Sequence, residues 1–343
     1  MYEAFYGLSG KPFQLNPDPA FFYASKGHNS AFSFLKYGVY QGEGFIVITG
    51  DIGAGKTTVL RALLEELDPR KVVAAQLVST QLEADDLVRS VAVAFGLPVK
   101  GVDKAQLLST LEAYLTSLAV ESKRALLVVD EAQNLAPRSM EELRMLSNFQ
   151  LGDHALLQSF LIGQPELREL LRAPDMQQLR QRIIASYHLG PMDAAETRGY
   201  IEHRLKHVGW QDDPSIDDAA FAAIHAETGG IPRRINQLCN RLLLASFLAE
   251  KHALGAADVE QVGAEIREEI GGPAYAATVQ SPGAAYEEGP RADNVIRPFA
   301  TSAITARLDR LEKLMNTMIE LLRSQTGPMP ERRGRPGRQV KGG

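Results

Sequence analysis

Phe45-Ile-Val-Ile-Thr49 runs into Gly50-Asp-Ile-Gly-Ala-Gly55-Lys56-Thr57-Thr58, and Val59-Leu-Arg-Ala-Leu-Leu-Glu-Glu66 follows at once. The first run is apolar and rich in β-branched residues, which suits a buried strand. The last run is rich in helix formers. Between them lies G-x-x-x-x-G-K-T. Its glycines let the backbone turn tightly and aim successive N–H groups at one point. A helix that begins there adds the positive end of its dipole. The stretch predicts a phosphate-binding loop made by Gly50, Asp51, Ile52, Gly53, Ala54, Gly55, Lys56, Thr57 and Thr58. In that reading Lys56 reaches the β- and γ-phosphates of ATP as a point charge, and the Thr57 hydroxyl holds Mg²⁺.

A length of 343 residues suggests two or three structural units, and 45% apolar residues are enough for most of the chain to fold. The net charge of −5 gives no global pull toward nucleic acid or acidic membrane. The single cysteine, Cys239, excludes a disulfide framework. Within Leu238-Cys-Asn-Arg-Leu-Leu-Leu244 it reads as a core residue. The first residues lack the basic and apolar regions of a signal peptide, and no run of about 18 apolar residues predicts a membrane span.

Outward from the loop, residues 1–27 are rich in aromatics and turn formers without a clean period. Such a segment can wrap the core and flank an adenine, or simply pack. A helix fits Asn29 to Tyr40. Strands fit Lys71–Val78, Ala125–Asp130, Leu156–Gly163 and Ile183–Leu189. Helices fit Ala84–Phe95, Asp103–Val120, Arg138–Leu151 and Glu166–Leu171 between them. Alternation of this kind predicts a doubly wound α/β layer, with the continuous apolar run before Asp130 at its centre. After Gly190-Pro191 no strand is expected. Asp193 and Glu196 form a capping box that opens a helix to about His207. Ser215 is expected to cap Ile216–Glu227, and Arg233–Lys251 and Ala256–Glu268 complete an all-helical domain. The expected division is an ATPase core at 1–190, a helical lid at 191–270, a disordered linker at 271–302, a short coiled-coil helix at 303–325 and a basic disordered tail at 326–343.

Further residues carry chemistry. Asp130 and Glu131 end the central strand, where open α/β sheets bind their ligands. Asp130 is placed to hold Mg²⁺ with Thr57, and Glu131 to orient and deprotonate the attacking water. Gln164 ends the next strand and is expected in the same cleft. Arg180 or Arg182, just before the last strand, is a candidate arginine finger for a neighbouring subunit, with surface salt bridging as the alternative. Arg233 opens a helix after Gly230-Ile-Pro232 and is expected to contact the γ-phosphate within its own subunit. His203 and His207 have the i, i+4 spacing of a metal pair but no third ligand, and the other histidines suggest nothing.

Together these features resemble the AAA+ ATPases over about residues 1–268. The resemblance implies a sheet of order 5-1-4-3-2, a C-terminal helical lid, and nucleotide between the two. More narrowly, Phe5-Tyr-Gly-Leu, Pro12-Phe13, Asn16-Pro-Asp-Pro19, Val129-Asp-Glu-Ala-Gln-Asn-Leu135 and Gly163-Gln-Pro-Glu-Leu167 resemble the general secretion pathway protein A (ExeA-like) ATPases. The branch associated with exosortase and PEP-CTERM sorting is the nearest in pattern. In that family Gln164 takes the sensor-1 place. The resemblance implies a Mg²⁺-dependent ATPase, a homo-oligomer of ring type, and a motor or switch that assists protein export, sorting or exopolysaccharide assembly. Its location would be the cytoplasm, or peripheral at the inner membrane, with a partner in the envelope machinery. A transposition-helper type of AAA+ protein that binds DNA shares this core and is the alternative.

Overall fold

The computed structural model describes residues 1–16, 18–78 and 83–270. The expected linker, coiled-coil helix and basic tail lie outside these residues. The described helices are α1 (Tyr2–Phe5), α2 (Lys26–Gln41), α3 (Lys56–Glu66), α4 (Ala84–Ala94), α5 (Lys104–Val120), α6 (Pro137–Leu146), α7 (Pro165–Arg172), α8 (Gln177–Arg180), α9 (Ala194–His207), α10 (Asp218–Thr228), α11 (Pro232–Leu248) and α12 (Ala256–Ile270). Five strands, β1 (Phe45–Gly50), β2 (Val72–Val78), β3 (Arg124–Asp130), β4 (Leu157–Gly163) and β5 (Ile183–Leu189), form one sheet in the order β2-β3-β4-β1-β5. Every neighbouring pair in it is parallel. This is the 5-1-4-3-2 order of a P-loop AAA fold.

The sheet is covered on both faces, which explains its continuous apolar runs. Side chains alternate along a strand. On β1, Phe45 and Val47 enter a core with Leu87 and Val91 of α4, Leu111 and Leu115 of α5, and Met140 and Leu143 of α6. Ile46 and Ile48 enter the opposite core, with Leu35 of α2 and Val59, Leu60 and Leu63 of α3. The strands end together, so the cradle after β1, Asp130 after β3 and Gln164 after β4 share one edge.

A separate core is built by the helices after residue 190. Ile201 and Leu205 of α9, Ile224 of α10, Ile235 and Leu242 of α11, and Val259 of α12 are its centre. Cys239 is buried there, and burial pushes its thiol far above the ordinary range. Tyr2, Tyr6, Leu8 and Phe13 join this same core. The first residues therefore pack on the helices, although the chain then returns to the sheet through α2. Tyr2 donates its hydroxyl proton to Asn240 Oδ1 (2.9 Å), and Tyr6 to the Lys251 carbonyl (3.0 Å).

Local departures from the expected elements have clear causes. The helix expected over Arg138–Leu151 stops at Leu146, and Gln150–Leu151 pairs antiparallel with His154–Ala155 around Gly152 in the left-handed region. Ser215 does not cap α10. It pairs with Ala253 in a two-residue parallel strand, Ser215–Ile216 against Ala253–Leu254, in a region expected to have no strand. Asp217 is the cap instead, accepting the Ala220 N–H at 2.6 Å. The Gly229-Gly230 pair joins α10 to α11 with φ of +59° and +71°. A Cβ on Gly230 would lie 2.0 Å from the Met192 carbonyl oxygen, which is backbone and cannot yield. Gly230→Ala combines a left-handed conformation with that overlap. It should destabilise the protein by at least about 2 kcal/mol, read as a lower denaturation midpoint, whereas Gly209→Ala, with open space around it, should cost about 1 kcal/mol.

Candidate nucleotide site

The cradle begins where β1 ends. Gly53 and Gly55 have φ of +83° and +99°, and Gly55 is the residue from which α3 starts. Neither glycine has room for a side chain. A Cβ on Gly53 would lie 2.3 Å from Arg233 Cβ, and one on Gly55 would lie 2.5 Å from His28 Nε2. The loop is thus gripped from both sides, by α11 and by α2. Lys56 is 7% exposed, and its ammonium donates to the carbonyls of Gly50 (2.7 Å) and Asp51 (2.9 Å). An ammonium has three N–H bonds, so one remains for a phosphate. Burial pushes Lys56 below the usual lysine range, and the carboxylates of Glu131 and Asp130 pull it back up.

Asp130 is 6% exposed at the end of β3. Its Oδ2 accepts the Thr57 hydroxyl at 3.2 Å, and its Oδ1 accepts the Glu131 N–H at 3.0 Å. Burial raises this carboxyl, against the lowering effect of those two donors. A buried carboxylate beside a hydroxyl is a hard-oxygen pair of the kind Mg²⁺ takes, and a cation there would offset the burial cost of the charge.

Glu131 adopts φ +53°, a left-handed conformation costly for a side chain of this size. The turn carries the carboxylate off the strand line and into the cleft. There Oε2 accepts the side-chain amides of Gln133 (2.6 Å) and Gln164 (3.0 Å). Gln133 Oε1 in turn accepts the Gln164 backbone N–H at 3.0 Å. Burial raises the Glu131 carboxyl, but the two amide donors and Lys56 outweigh it and hold the group below the usual range. Gln164 is therefore brought to Glu131 at the strand ends, and Gln133 is an additional partner. A Gln two residues after an acid carries no pattern that marks it.

Arg233 also reaches the cradle, with its backbone N–H on the Gly53 carbonyl at 3.2 Å. The cleft between loop and helices has a volume of about 370 Å³, and Lys56, Thr57, Glu131 and Arg233 are among the residues that line it. Leu15, Phe21, Phe22 and Tyr23 of the segment before α2 line it as well. Arg204 was not marked by any pattern. It is 6% exposed and clasps that segment, donating to the carbonyls of Pro12 (2.6 Å) and Gln14 (3.4 Å) and to the Tyr200 hydroxyl (2.6 Å). Tyr200 passes its own proton to Asn236 Oδ1 at 2.9 Å.

Arg180 and Arg182 lie away from this cleft and do not form the surface salt bridges considered for them. Arg180 Nη1 donates to the carbonyls of Leu171 and Ala173, each at 2.6 Å, and so caps the end of α7. Arg182 holds the Ser147 carbonyl and hydroxyl, each at 3.0 Å, and Asn148 Oδ1. Cations at helix C-termini oppose the macrodipole favourably. Arg180 keeps two of its nitrogens outside these bonds. The rings of His203 and His207 lie 6.5 Å apart beside Tyr23 and Phe21, and no cluster of three metal-ligating side chains occurs among the described residues.

Residues 39–171 match the family model of the AAA domain. The general secretion pathway protein A of Aeromonas hydrophila is 38% identical over 267 residues, which is 78% of this chain and 48% of that protein. The chain thus spans about half the length of this relative. Among solved structures, Cdc6p from Pyrobaculum aerophilum superposes with a TM-score of 0.57 at 18% identity, covering 75% of this chain and 74% of its own. The Aeropyrum pernix ORC1 protein, solved in complex with DNA, gives a TM-score of 0.56 at 18% identity, covering 76% and 70%. Likeness at this level of identity concerns the fold.

Proposed function

From the premise of a P-loop AAA ATPase fold, we propose that this chain binds ATP with Mg²⁺ in the cleft, hydrolyses it, and uses the cycle to assist export, sorting or exopolysaccharide assembly at a bacterial envelope. The single observation that carries the pathway is the 38% identity to general secretion pathway protein A. The nearness of its motifs to the exosortase-associated branch narrows the reading to that sorting system. Among the described residues no helix is long and apolar enough to cross a membrane.

The residues divide the work as follows. The Gly53–Gly55 backbone and Lys56 receive the phosphates. Thr57 and Asp130 would be the oxygen ligands for Mg²⁺, which would supply neutralisation of charge on the phosphates. Glu131 would orient the attacking water and receive its proton, and Gln164 fixes the Glu131 carboxylate through its side-chain amide. Arg233 joins the γ-phosphate end of the cleft to α11, so that loss of that phosphate shifts the helix. Arg180 is the better candidate to reach a neighbouring subunit, because fewer of its donors are used within its own chain.

The envelope role is tested by deleting the gene in its host. Extracellular polysaccharide and sorted surface protein should fall and be restored by the wild-type gene but not by Lys56→Ala. Normal export in the deletion strain would remove the pathway from the reading. Assembly is tested by ATP turnover against protein concentration, with and without DNA. Turnover per chain should rise with concentration, and Arg180→Ala should lower the plateau by about 10³-fold, as loss of an arginine finger does. A flat rate excludes a contribution in trans, and strong stimulation by DNA would favour the DNA-binding alternative.

A further inference from the structure

His28 is the least expected member of the cleft. It lies in the first turn of α2, is 5% exposed, and has both ring nitrogens engaged. Nε2 is 3.0 Å from the Ala54 carbonyl oxygen, and Nδ1 is 2.7 Å from Ser25 Oγ. A carbonyl only accepts, so Nε2 carries the proton and Nδ1 accepts from the Ser25 hydroxyl. The same Ser25 oxygen accepts the His28 backbone N–H at 3.3 Å as the cap of α2. One tautomer of the neutral ring satisfies every contact. Burial also lowers the affinity of this ring for a second proton.

The bond matters because of which carbonyl it holds. In a trans peptide the C=O and the following N–H point in opposite directions. Tying the Ala54 carbonyl to α2 therefore turns the Gly55 N–H the other way, into the cradle. The Ala54 N–H is already spent on the Asp51 carbonyl at 3.1 Å, so Gly55 supplies the donor that this peptide can offer a phosphate. Gly55 at φ +99° is held against the ring, where even a methyl group would overlap Nε2. The N-terminus of α2 is itself fixed from the helical side. The Lys26 N–H donates to Glu196 Oε1 at 2.8 Å, and Lys26 Nζ pairs with Asp193 Oδ2 at 3.4 Å. Asp193 and Glu196 are the capping box of α9.

We propose that His28 is a positioning residue for the phosphate loop: its Nε2–H fixes the Ala54–Gly55 peptide so that the Gly55 N–H is aimed at the bound phosphates, and it does so from a helix end anchored to α9. The proposal rests on the nucleotide reading of the cleft.

The test is ATP and ADP binding by the full chain, with His28→Leu and His28→Gln. Leucine fills the space without a donor. The glutamine amide nitrogen reaches about as far as Nε2 and can donate to the same carbonyl. His28→Leu should weaken nucleotide binding about 10-fold, the loss of one well-placed donor, and His28→Gln should return it to within about 3-fold of wild type. A purely space-filling role predicts the reverse order. Histidine-detected NMR of the wild-type chain near neutral pH is the second measurement and does not depend on a folded variant. It should find the His28 ring neutral with its proton on Nε2. Wild-type binding by His28→Leu, failure of His28→Gln to rescue, or a proton on Nδ1 would each overturn the assignment. If the wild-type chain itself bound no nucleotide, the cleft reading would fail instead.

Discussion

Lys56→Ala is expected to abolish ATP turnover, lowering it by at least about 10²-fold, because the charge placed to stabilise the transferring phosphate is lost. The variant should nevertheless fold. Lys56 is buried, and burial depresses its affinity for a proton in the folded state. Keeping the ammonium charged is therefore costlier in the folded chain than in the unfolded one. Removing the ammonium relieves that burden while giving up its bonds to the Gly50 and Asp51 carbonyls. The two changes oppose each other, so the thermal midpoint without nucleotide should move little. What should vanish is the rise in midpoint on adding ATP, since a ligand stabilises only in proportion to its affinity for the native state. Unchanged turnover, or an intact ATP-dependent shift, would remove Lys56 from the phosphate site.

Glu131→Gln should separate binding from chemistry. The phosphates are held by the loop and Lys56, so ATP affinity should stay within about 3-fold, while turnover should drop by about 10²- to 10⁴-fold with the loss of a positioned base. The neighbours add a pH signature. Glu131 lies below its ordinary value of 4.5 because Gln164, Gln133 and Lys56 together outweigh its burial. A depressed carboxylate is lost only as pH falls through its lowered value, so the acid limb due to Glu131 must lie below pH 4.5. An acid limb in kcat near neutrality would have to come from another group. Such a low base also accepts a proton late, which makes orientation of the water its larger contribution. Normal turnover by the glutamine variant would exclude it from the reaction.

The parts of this molecule that were legible in the sequence are those set by local chemistry. The strand, loop and helix from Phe45 to Glu66 announce themselves because apolar run, glycine spacing and helix formers succeed one another within a few residues. Asp130 and Glu131 could be placed because an acid after four buried residues has nowhere to go but the strand end. Gln164 followed from the same logic, one strand further on. What was hidden depends on partners distant in the chain. Ser215 and Asp217 are both good helix caps, and only the pairing of Ser215 with Ala253 decides between them. The helix after Pro137 could not be ended correctly because Phe149 continues the three-residue spacing of Met140, Leu143 and Leu146 past the helix end. His28 was passed over because its partners are a backbone carbonyl and a serine, and a single histidine opposite a carbonyl leaves no spacing to read. Arg180 and Arg182 show the converse: their positions in sequence suggested a reach outward, while their bonds to helix ends, through Nη1 of Arg180 and both Nη atoms of Arg182, could not be read from any spacing.

The chain passes twice between the sheet and the helices, once between Phe13 and the start of α2 at Lys26, and once between Leu189 and the first turn of α9 at Glu196. Lys26 and Glu196 join the two crossings at 2.8 Å. A body attached by a single strand can swing and twist in any direction. Two strands fastened side by side act as a pair of door hinges, leaving rotation about one line and resisting the rest. Movement between the sheet and the helices, were nucleotide to drive it, would be confined by this pair of links, which lie at the foot of α2.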